Sequence, residues 1–90
     1  MSLTAKTKQQ LKAKAHALHP LILMGNKGLS EAVKKEIDRA LYDHELIKIR
    51  IAAEDRDLRR QLFAEICEQA QAELVQVIGK IAVVYKKRVE

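Results

Sequence analysis

The sequence is poor in several residue types, with one cysteine, one proline, three glycines and no tryptophan among 90 residues. A lone cysteine forms neither a disulfide framework nor a metal cluster, which favours a reducing, intracellular setting. We therefore expect Cys67 to be a free, buried thiol. A chain of this length is typical of one domain with a modest core, so we expect a single domain over residues 1–90.

Long apolar runs are missing as well. No stretch approaches the roughly 18 apolar residues of a membrane-spanning helix, and the start of the chain does not combine positive charge with the apolar run of a secretory signal. The sequence therefore predicts a cytoplasmic protein without a membrane partner.

Patterns that would indicate catalysis or cofactor binding are absent. The residues His16, His19 and His44 have no cysteine or carboxylate at a spacing typical of a metal or nucleophile site. The glycine fingerprints for nucleoside triphosphates and dinucleotides are also missing. We expect no enzyme activity, no cofactor, no metal and no small-molecule substrate.

Aromatic side chains are few, namely Tyr42, Phe63 and Tyr85. Three are not enough for the stacking platforms on which several RNA-binding folds depend. If the protein binds nucleic acid, we expect contact through the backbone and by charge, with Phe63 in the core.

The charge of the chain is unevenly distributed around a net value of +5. Residues 1–30 contain five lysines and no acidic residue, whereas residues 31–73 carry a net charge of −3 and residues 74–90 a net charge of +3. Such asymmetry suits a surface that binds a polyanion, provided that the fold brings the two cationic ends together.

Three segments are predicted as helices, residues 4–18, 31–42 and 57–71. The first is rich in strong helix formers, and Leu11, Ala15 and Leu18 give it a narrow apolar stripe. For the third, either Asp55 or Asp57 can serve as the N-cap. All three helices are therefore expected to bury one face.

Four segments are predicted as strands, residues 21–24, 45–51, 74–78 and 81–86. In the second, Ile47, Ile49 and Ile51 alternate with Lys48 and Arg50, which is typical of a half-buried strand. The last two are separated by a Gly-Lys pair that fits a hairpin turn, although the glycine could instead mark a bulge in one longer strand.

The order of these elements predicts the fold class. An N-terminal helix followed by β-α-β-α-β-β indicates an α/β protein with a four-stranded mixed sheet packed by helices. The strand order within the sheet does not follow from the sequence.

A glycine loop, "GNKG" at residues 25–28, joins the first predicted strand to the second predicted helix, whose N-cap would be Ser30. Loop amides and the positive end of the helix dipole would then point outward together, which suits phosphate. The alternative is a plain turn that needs glycine. Cations in the first turns of a helix oppose its dipole unless an anion is nearby, so Lys34 and Lys35 favour binding.

Three segments together resemble the CRM domain (chloroplast RNA splicing and ribosome maturation) in its bacterial, YhbY-like form. They are "LKAKAHALHPLILMGNKGLS", "HELIKIRI" and "ELVQVIGKIAVVYKK". The resemblance implies an RNA-binding module associated with precursors of the large ribosomal subunit. It also implies a fold similar to the C-terminal domain of translation initiation factor three, with an added N-terminal helix.

The resemblance places the family's G-x-x-G loop on Gly25, Asn26, Lys27 and Gly28. Family members often carry a basic residue where Asn26 stands, and arginine is common at the position of Lys86. The expected function is non-catalytic binding of ribosomal RNA, in the pre-50S particle, by a monomer. The expected RNA-binding residues are Gly25, Asn26, Lys27, Gly28, Lys12, Lys14, Lys34, Lys35, Lys86 and Lys87.

An alternative function belongs to a different class. The protein could be an adaptor that docks on ribosomal proteins through Lys48, Arg50 and their surroundings, with the cationic ends serving solubility.

Overall fold

The structure is a computed structural model that describes residues 3–25 and 28–88. Its helices are α1 (Ala5–Ala15), α2 (Glu31–His44) and α3 (Arg56–Ala70). Its strands are β1 (Ile22–Met24), β2 (Leu46–Ile51), β3 (Glu73–Ile78) and β4 (Ile81–Tyr85). The predicted α/β class and element order are confirmed, with boundaries that move by one to three residues in most elements.

The four strands form one mixed sheet in the order β1-β2-β4-β3. Strand β1 is parallel to β2, while β4 is antiparallel to both β2 and β3. The strands β1, β2 and β3 therefore run in one direction. We call the end at which they finish, after Met24, Ile51 and Ile78, the carboxyl end of the sheet, and the opposite end, where Leu46 pairs with Tyr85, the amino end.

Helices α2 and α3 cover one face of the sheet and enclose the main core. Ile47, Ile49 and Ile51 are fully buried there, as their alternation predicts. Phe63 and Leu41 from the two helices complete the same cluster, and each is 1% exposed. The predicted core position of Phe63 is confirmed.

Helix α1 packs on the other face of the sheet. Its Leu11 and Ala15 contact a second buried cluster that includes Leu46, Val75 and Val83. The predicted apolar stripe is wrong at Leu18, which is 37% exposed because the helix ends at Ala15.

Helix α1 leaves the carboxyl part of its sheet face uncovered by the described residues. One cross-strand row runs over all four strands there, and we call it the open strip: Leu23, Arg50, Ile81 and Ile78. Leu23 and Ile78 at its two ends are 71% and 63% exposed. A row of apolar side chains around one arginine is thus left facing outward.

Both helices of the main core are capped as the sequence predicts. The Ser30 hydroxyl accepts a hydrogen bond from the Val33 amide at 3.2 Å. At α3 the cap is Asp55, whose carboxylate accepts from the amides of Asp57 and Leu58 at 2.8 and 3.3 Å. Each cap satisfies amides that have no partner within the helix.

The strands β3 and β4 form a hairpin around Gly79, whose φ is +59°. A separate irregularity lies within β3, where the register shifts between Leu74 and Gln76. Both the hairpin and a bulge are therefore present, but the bulge lies four residues before the glycine. No helix within residues 3–25 and 28–88 is long and apolar enough to cross a membrane.

Candidate nucleic-acid interface

The glycine loop follows β1 at the carboxyl end of the sheet. The end of the strand is fixed by the Ala52 amide, which donates to the Met24 carbonyl at 2.8 Å. Gly25 is exposed, and Gly28 has φ +93°, a conformation that favours glycine. Asn26 and Lys27 lie outside the described residues.

The described flanks of the loop have room for a ligand. Among the residues that the structure describes, no atom other than those of chain neighbours lies within 4 Å of a Cβ placed on Gly25 or Gly28. A hollow of about 380 Å³ adjoins both glycines and is lined by Leu23, Leu29 and Val33. A backbone could therefore approach Gly25 and Gly28 closely, because neither glycine carries a side chain.

Lys34 and Lys35 lie just beyond the cap of α2, at the same end of the sheet. The Lys34 ammonium is 3.4 Å from a carboxylate oxygen of Glu31, and this pair is weak because the Glu31 side chain is largely exposed to water. Lys35 is exposed and has no hydrogen bond or ion pair within the described residues. Both cations remain available to an anion at the loop.

The C-terminal lysines lie at the amino end of the sheet. The Lys86 amide donates to the Glu45 carbonyl at 2.9 Å, just beyond the pair of Leu46 with Tyr85. A strand rises about 3.3 Å per residue, so the length of β2 separates Lys86 from the glycine loop by about 20 Å. Lys86 and Lys87 line a groove there with Tyr42.

The lysines of α1 are nearer to the amino end. Lys14 lines a hollow together with His44 and Leu46, and Lys12, which directly follows Leu11, is half-buried. The structure thus brings Gly25, Gly28, Lys34 and Lys35 together at the carboxyl end. It brings Lys14 towards Lys86 and Lys87 at the other end, so the predicted residues form two groups.

Cations that were not among the expected RNA-binding residues also lie at the carboxyl end. They are Arg50 in the open strip, Arg56, Arg59 and Arg60 in the first two turns of α3, and Lys80 in the hairpin turn. The net negative charge of residues 31–73 hid the arginines, because it averages over both ends of the sheet. The usable signal was that α2 and α3 must both begin where parallel strands finish, which is where ligands bind in α/β sheets.

Several cations at the surface already have structural partners. Lys80 pairs with Glu54 at 2.7 Å, and this ion pair keeps the pKa of the Glu54 carboxyl below its ordinary value. The Lys48 ammonium donates to the Leu18 carbonyl at 3.0 Å. Arg88 donates to the carbonyls of Tyr42 and Asp43 at the end of α2. These groups have less freedom to bind a ligand than their formal charge suggests.

Comparison with known proteins places this geometry in context. Residues 3–86 match the model of the CRS1 / YhbY (CRM) domain. The Pseudomonas aeruginosa protein named "Probable RNA-binding protein PA4753" is 48% identical, over 97% of this chain and 84% of its own length. A Haemophilus influenzae protein named "RNA-binding protein" is 42% identical, over 94% of this chain and 86% of its own length.

A solved structure has the same fold. It is the solution structure of the hypothetical protein SAV1595 from Staphylococcus aureus, which is described as a candidate RNA-binding protein. The TM-score is 0.85 at 36% sequence identity, and the match covers 99% of this chain and 93% of that one.

Proposed function

Because the chain belongs to the CRS1 / YhbY (CRM) domain family, we propose that it is a non-catalytic RNA-binding protein that acts on ribosomal RNA during assembly of the large subunit. RNA binding is supported by the names of its relatives. The ribosomal target is drawn from the family resemblance of three segments of the sequence. The structural observation that carries the proposal is the open space at Gly25 and Gly28, at the same end of the sheet as Lys35, which has no ion pair within the described residues.

The proposed grip on RNA is electrostatic. Amides around the loop and the start of α2 present partial positive charge to a phosphate, and glycines at positions 25 and 28 let the RNA backbone approach closely. Lys27, Lys34 and Lys35 add mobile charge. The amino-end lysines extend the cationic surface by about 20 Å, which corresponds to about six phosphates of one strand.

Salt dependence follows from this mechanism. If about five phosphates of single-stranded RNA are neutralised, the slope of log affinity against log salt is near −3.5. Affinity then falls roughly 100-fold between about 50 and 200 mM salt. Fluorescence anisotropy of a labelled RNA measures the slope, and a flat response contradicts the proposal.

The sharpest test changes charge in the loop alone. We expect Asn26→Asp combined with Lys27→Asp to weaken RNA binding severalfold or more, because negative charge then faces the phosphates. The thermal unfolding midpoint should stay nearly constant, since the changes are confined to the glycine loop predicted from the sequence. The matched control is Lys6→Asp with Gln9→Asp, the same charge change on exposed positions of α1. Equal binding by the loop variant and the wild type would overturn the proposal.

A second candidate function is favoured by the open strip. Leu23 and Ile78 are exposed on either side of Arg50. An apolar row around a cation is better suited to binding a protein than to binding a phosphate backbone. The alternative is therefore an adaptor that docks on ribosomal proteins. If it is correct, Leu23→Ser with Ile78→Ser abolishes co-sedimentation with large-subunit particles and leaves affinity for free RNA unchanged. If the RNA proposal is correct, the loop variant abolishes co-sedimentation.

A further inference from the structure

An unassigned pocket of about 620 Å³ lies between α3 and the β3–β4 hairpin. We call it the arginine pocket, and its lining residues are Arg56, Arg59, Arg60, Phe63, Leu74, Val77 and Gly79. We propose that it takes one unstacked nucleotide of the RNA strand whose backbone is held at the glycine loop. The inference rests on the proposed RNA-binding function and specifies a second contact within it.

The pocket has an apolar floor. Leu74 and Val77 of β3 contribute it and are 36% and 42% exposed, while Phe63 lies behind them in the core. Strand β3 is an edge strand, so no other described strand pairs with its outer side. Exposed apolar side chains in a concave site gain free energy when a ligand covers them.

Three guanidinium groups form the rim. Positions 56, 59 and 60 are three or four residues apart and therefore share one face of α3. One terminal nitrogen of Arg59 donates to the carbonyls of Ala53 and Glu54 at 2.9 and 2.8 Å, which fixes that side chain against the segment before α3. Arg56 and Arg60 are exposed and have no hydrogen bond or ion pair within the described ranges.

Nearby carboxylates do not cancel this positive charge. The Glu54 carboxylate is paired with Lys80 at 2.7 Å, and the Asp55 carboxylate accepts hydrogen bonds from the start of α3. Asp57 is the remaining acidic side chain in the first turn of α3. Four cationic side chains, those of the three arginines and Lys80, stand against these three carboxylates and leave the rim with a small net positive charge.

A nucleotide matches this combination of features. A base offers flat apolar faces, and its phosphate is an anion that guanidinium groups bind through paired hydrogen bonds. Arginine planes also stack on bases, a role that aromatic residues have in other RNA-binding folds. The volume is within the range of about 300 to 1,000 Å³ that is typical of small-ligand pockets. An acidic peptide would satisfy the arginines but leave the floor without a flat apolar partner.

The pocket and the glycine loop are at the same end of the sheet. The Ile51 amide donates to the Lys80 carbonyl at 2.8 Å, and the Ala52 amide donates to the Met24 carbonyl at 2.8 Å, so the three connections lie side by side. Three strand spacings of about 4.8 Å separate β1 from β3, or about 14 Å. That distance corresponds to about four phosphates of one strand, the length of RNA that a G-x-x-G loop clamps in KH domains.

Crosslinking tests the location. Single-stranded RNA of about ten nucleotides that contains 4-thiouridine is bound to the full chain, irradiated, and digested for mass spectrometry. We expect adducts in the peptides that carry residues 56–63 and 74–79, besides those at residues 25–28. Adducts at the glycine loop without any in the pocket peptides would overturn the pocket and leave the proposed function standing.

Affinity measurements test the ligand. We expect Arg56→Gln with Arg60→Gln to weaken binding of the intact RNA about tenfold, because stacking and paired hydrogen bonds are both lost. With the same RNA made abasic, the loss caused by these substitutions should be clearly smaller, because the phosphate hydrogen bonds are still lost but there is no base left to stack. The control, Lys6→Gln with Arg39→Gln, removes equal charge at exposed positions outside the pocket. Val77→Gln, which narrows the pocket without changing charge, should reproduce the base-dependent loss.

Each other outcome contradicts the pocket assignment. If Arg56→Gln with Arg60→Gln lowered the affinity for intact and abasic RNA equally, the arginines would be general phosphate contacts. A different result would be that polyglutamate competes with RNA in a way that requires Arg56 and Arg60, while RNA affinity is the same with and without bases. That result would indicate that the pocket binds an acidic protein. Failure of the wild type to bind RNA at all would overturn both the pocket and the proposed function.

Discussion

Gly28 is the residue at which the loop depends most on its amino-acid type. Its φ of +93° is strained for any residue with a Cβ, even though the space around it is open among the described residues. We expect Gly28→Ala to lower the free energy of unfolding by about 1 kcal/mol. Urea denaturation of the variant and the wild type measures this difference in the free energy of unfolding.

Gly25→Ala is the matched control for Gly28→Ala. Gly25 has no positive φ and no neighbouring atom within 4 Å among the described residues. Its substitution should leave stability almost unchanged, so comparable losses for both variants would contradict the conformational explanation. Both variants should weaken RNA binding if the RNA backbone approaches closely.

Cys67 is free, as predicted, but it is only half-buried. Burial, followed by the charge of Glu73, raises the pKa of its thiol to about 11. The thiol is the unreactive form, so iodoacetamide at about pH 8.5 should alkylate the folded protein at least tenfold more slowly than the protein in urea. Equal rates would contradict the raised pKa.

The raised pKa of Cys67 also fixes the direction of a pH effect. As the pH rises past the ordinary value of 9.0, the unfolded chain loses the thiol proton before the folded one does. Stability should therefore be unaffected by this group below that value and decline between it and about 11. Cys67→Ala should remove this part of the alkaline decline in urea midpoints.

At the scale of elements, α3 depends on its N-cap. The Asp55 carboxylate accepts two amide hydrogen bonds, and Asp55→Ala should lower the free energy of unfolding by about 1 to 2 kcal/mol. Asp57→Ala is the control, because Asp57 lies in the same turn but its side chain does not cap, and we expect only a few tenths of a kcal/mol. Thermal or urea unfolding followed by circular dichroism distinguishes the two, and equal losses would assign the effect to the helix dipole.

Strand β3 shows how one element can serve both faces of the sheet. Its bulge lets Val75 join the cluster under α1, while Leu74 and Val77 face the arginine pocket on the α3 side. The sequence of β3 is β-rich but gives no sign of the shift, because a bulge depends on how the partner strand is paired.

For the whole molecule, the glycine loop and the C-terminal lysines are about 20 Å apart, so cations at the two ends of the sheet should contribute to RNA binding differently. We expect Lys34→Gln with Lys35→Gln to weaken binding of RNA of every length and to reduce the salt slope by about 0.7 for each lost phosphate contact. We expect Lys86→Gln with Lys87→Gln to matter only for RNA long enough to reach the amino end.

Anisotropy titrations with RNA of about four and about twelve nucleotides separate these cases. If Lys86→Gln with Lys87→Gln weakened binding of the short RNA, the proposed arrangement of RNA from the glycine loop to the amino end would be contradicted. It would also be contradicted if Lys34→Gln with Lys35→Gln left the binding of both RNAs unchanged. Thermal midpoints should change little, since Lys35 and Lys87 are exposed and Lys34 and Lys86 are only half-buried.

The sequence by itself determined the elements, their order, the caps and the inward faces, because these depend on neighbours two to four residues away along the chain. Ile47, Ile49 and Ile51 are buried as their alternation predicts, and Ser30 begins its helix. The glycine loop was also identified in this way.

Only the tertiary structure decided which charges share a surface. The antiparallel pairing of β4 with β2 puts Lys86 at the end opposite Gly25, and the packing of α3 places its arginine face beside the β3–β4 hairpin. In the folded chain, the side chains of Lys48 and Arg88 also donate hydrogen bonds to backbone carbonyls that are 30 or more residues away in sequence. Contacts of that kind depend on how the whole chain packs, and no local pattern of residues encodes them.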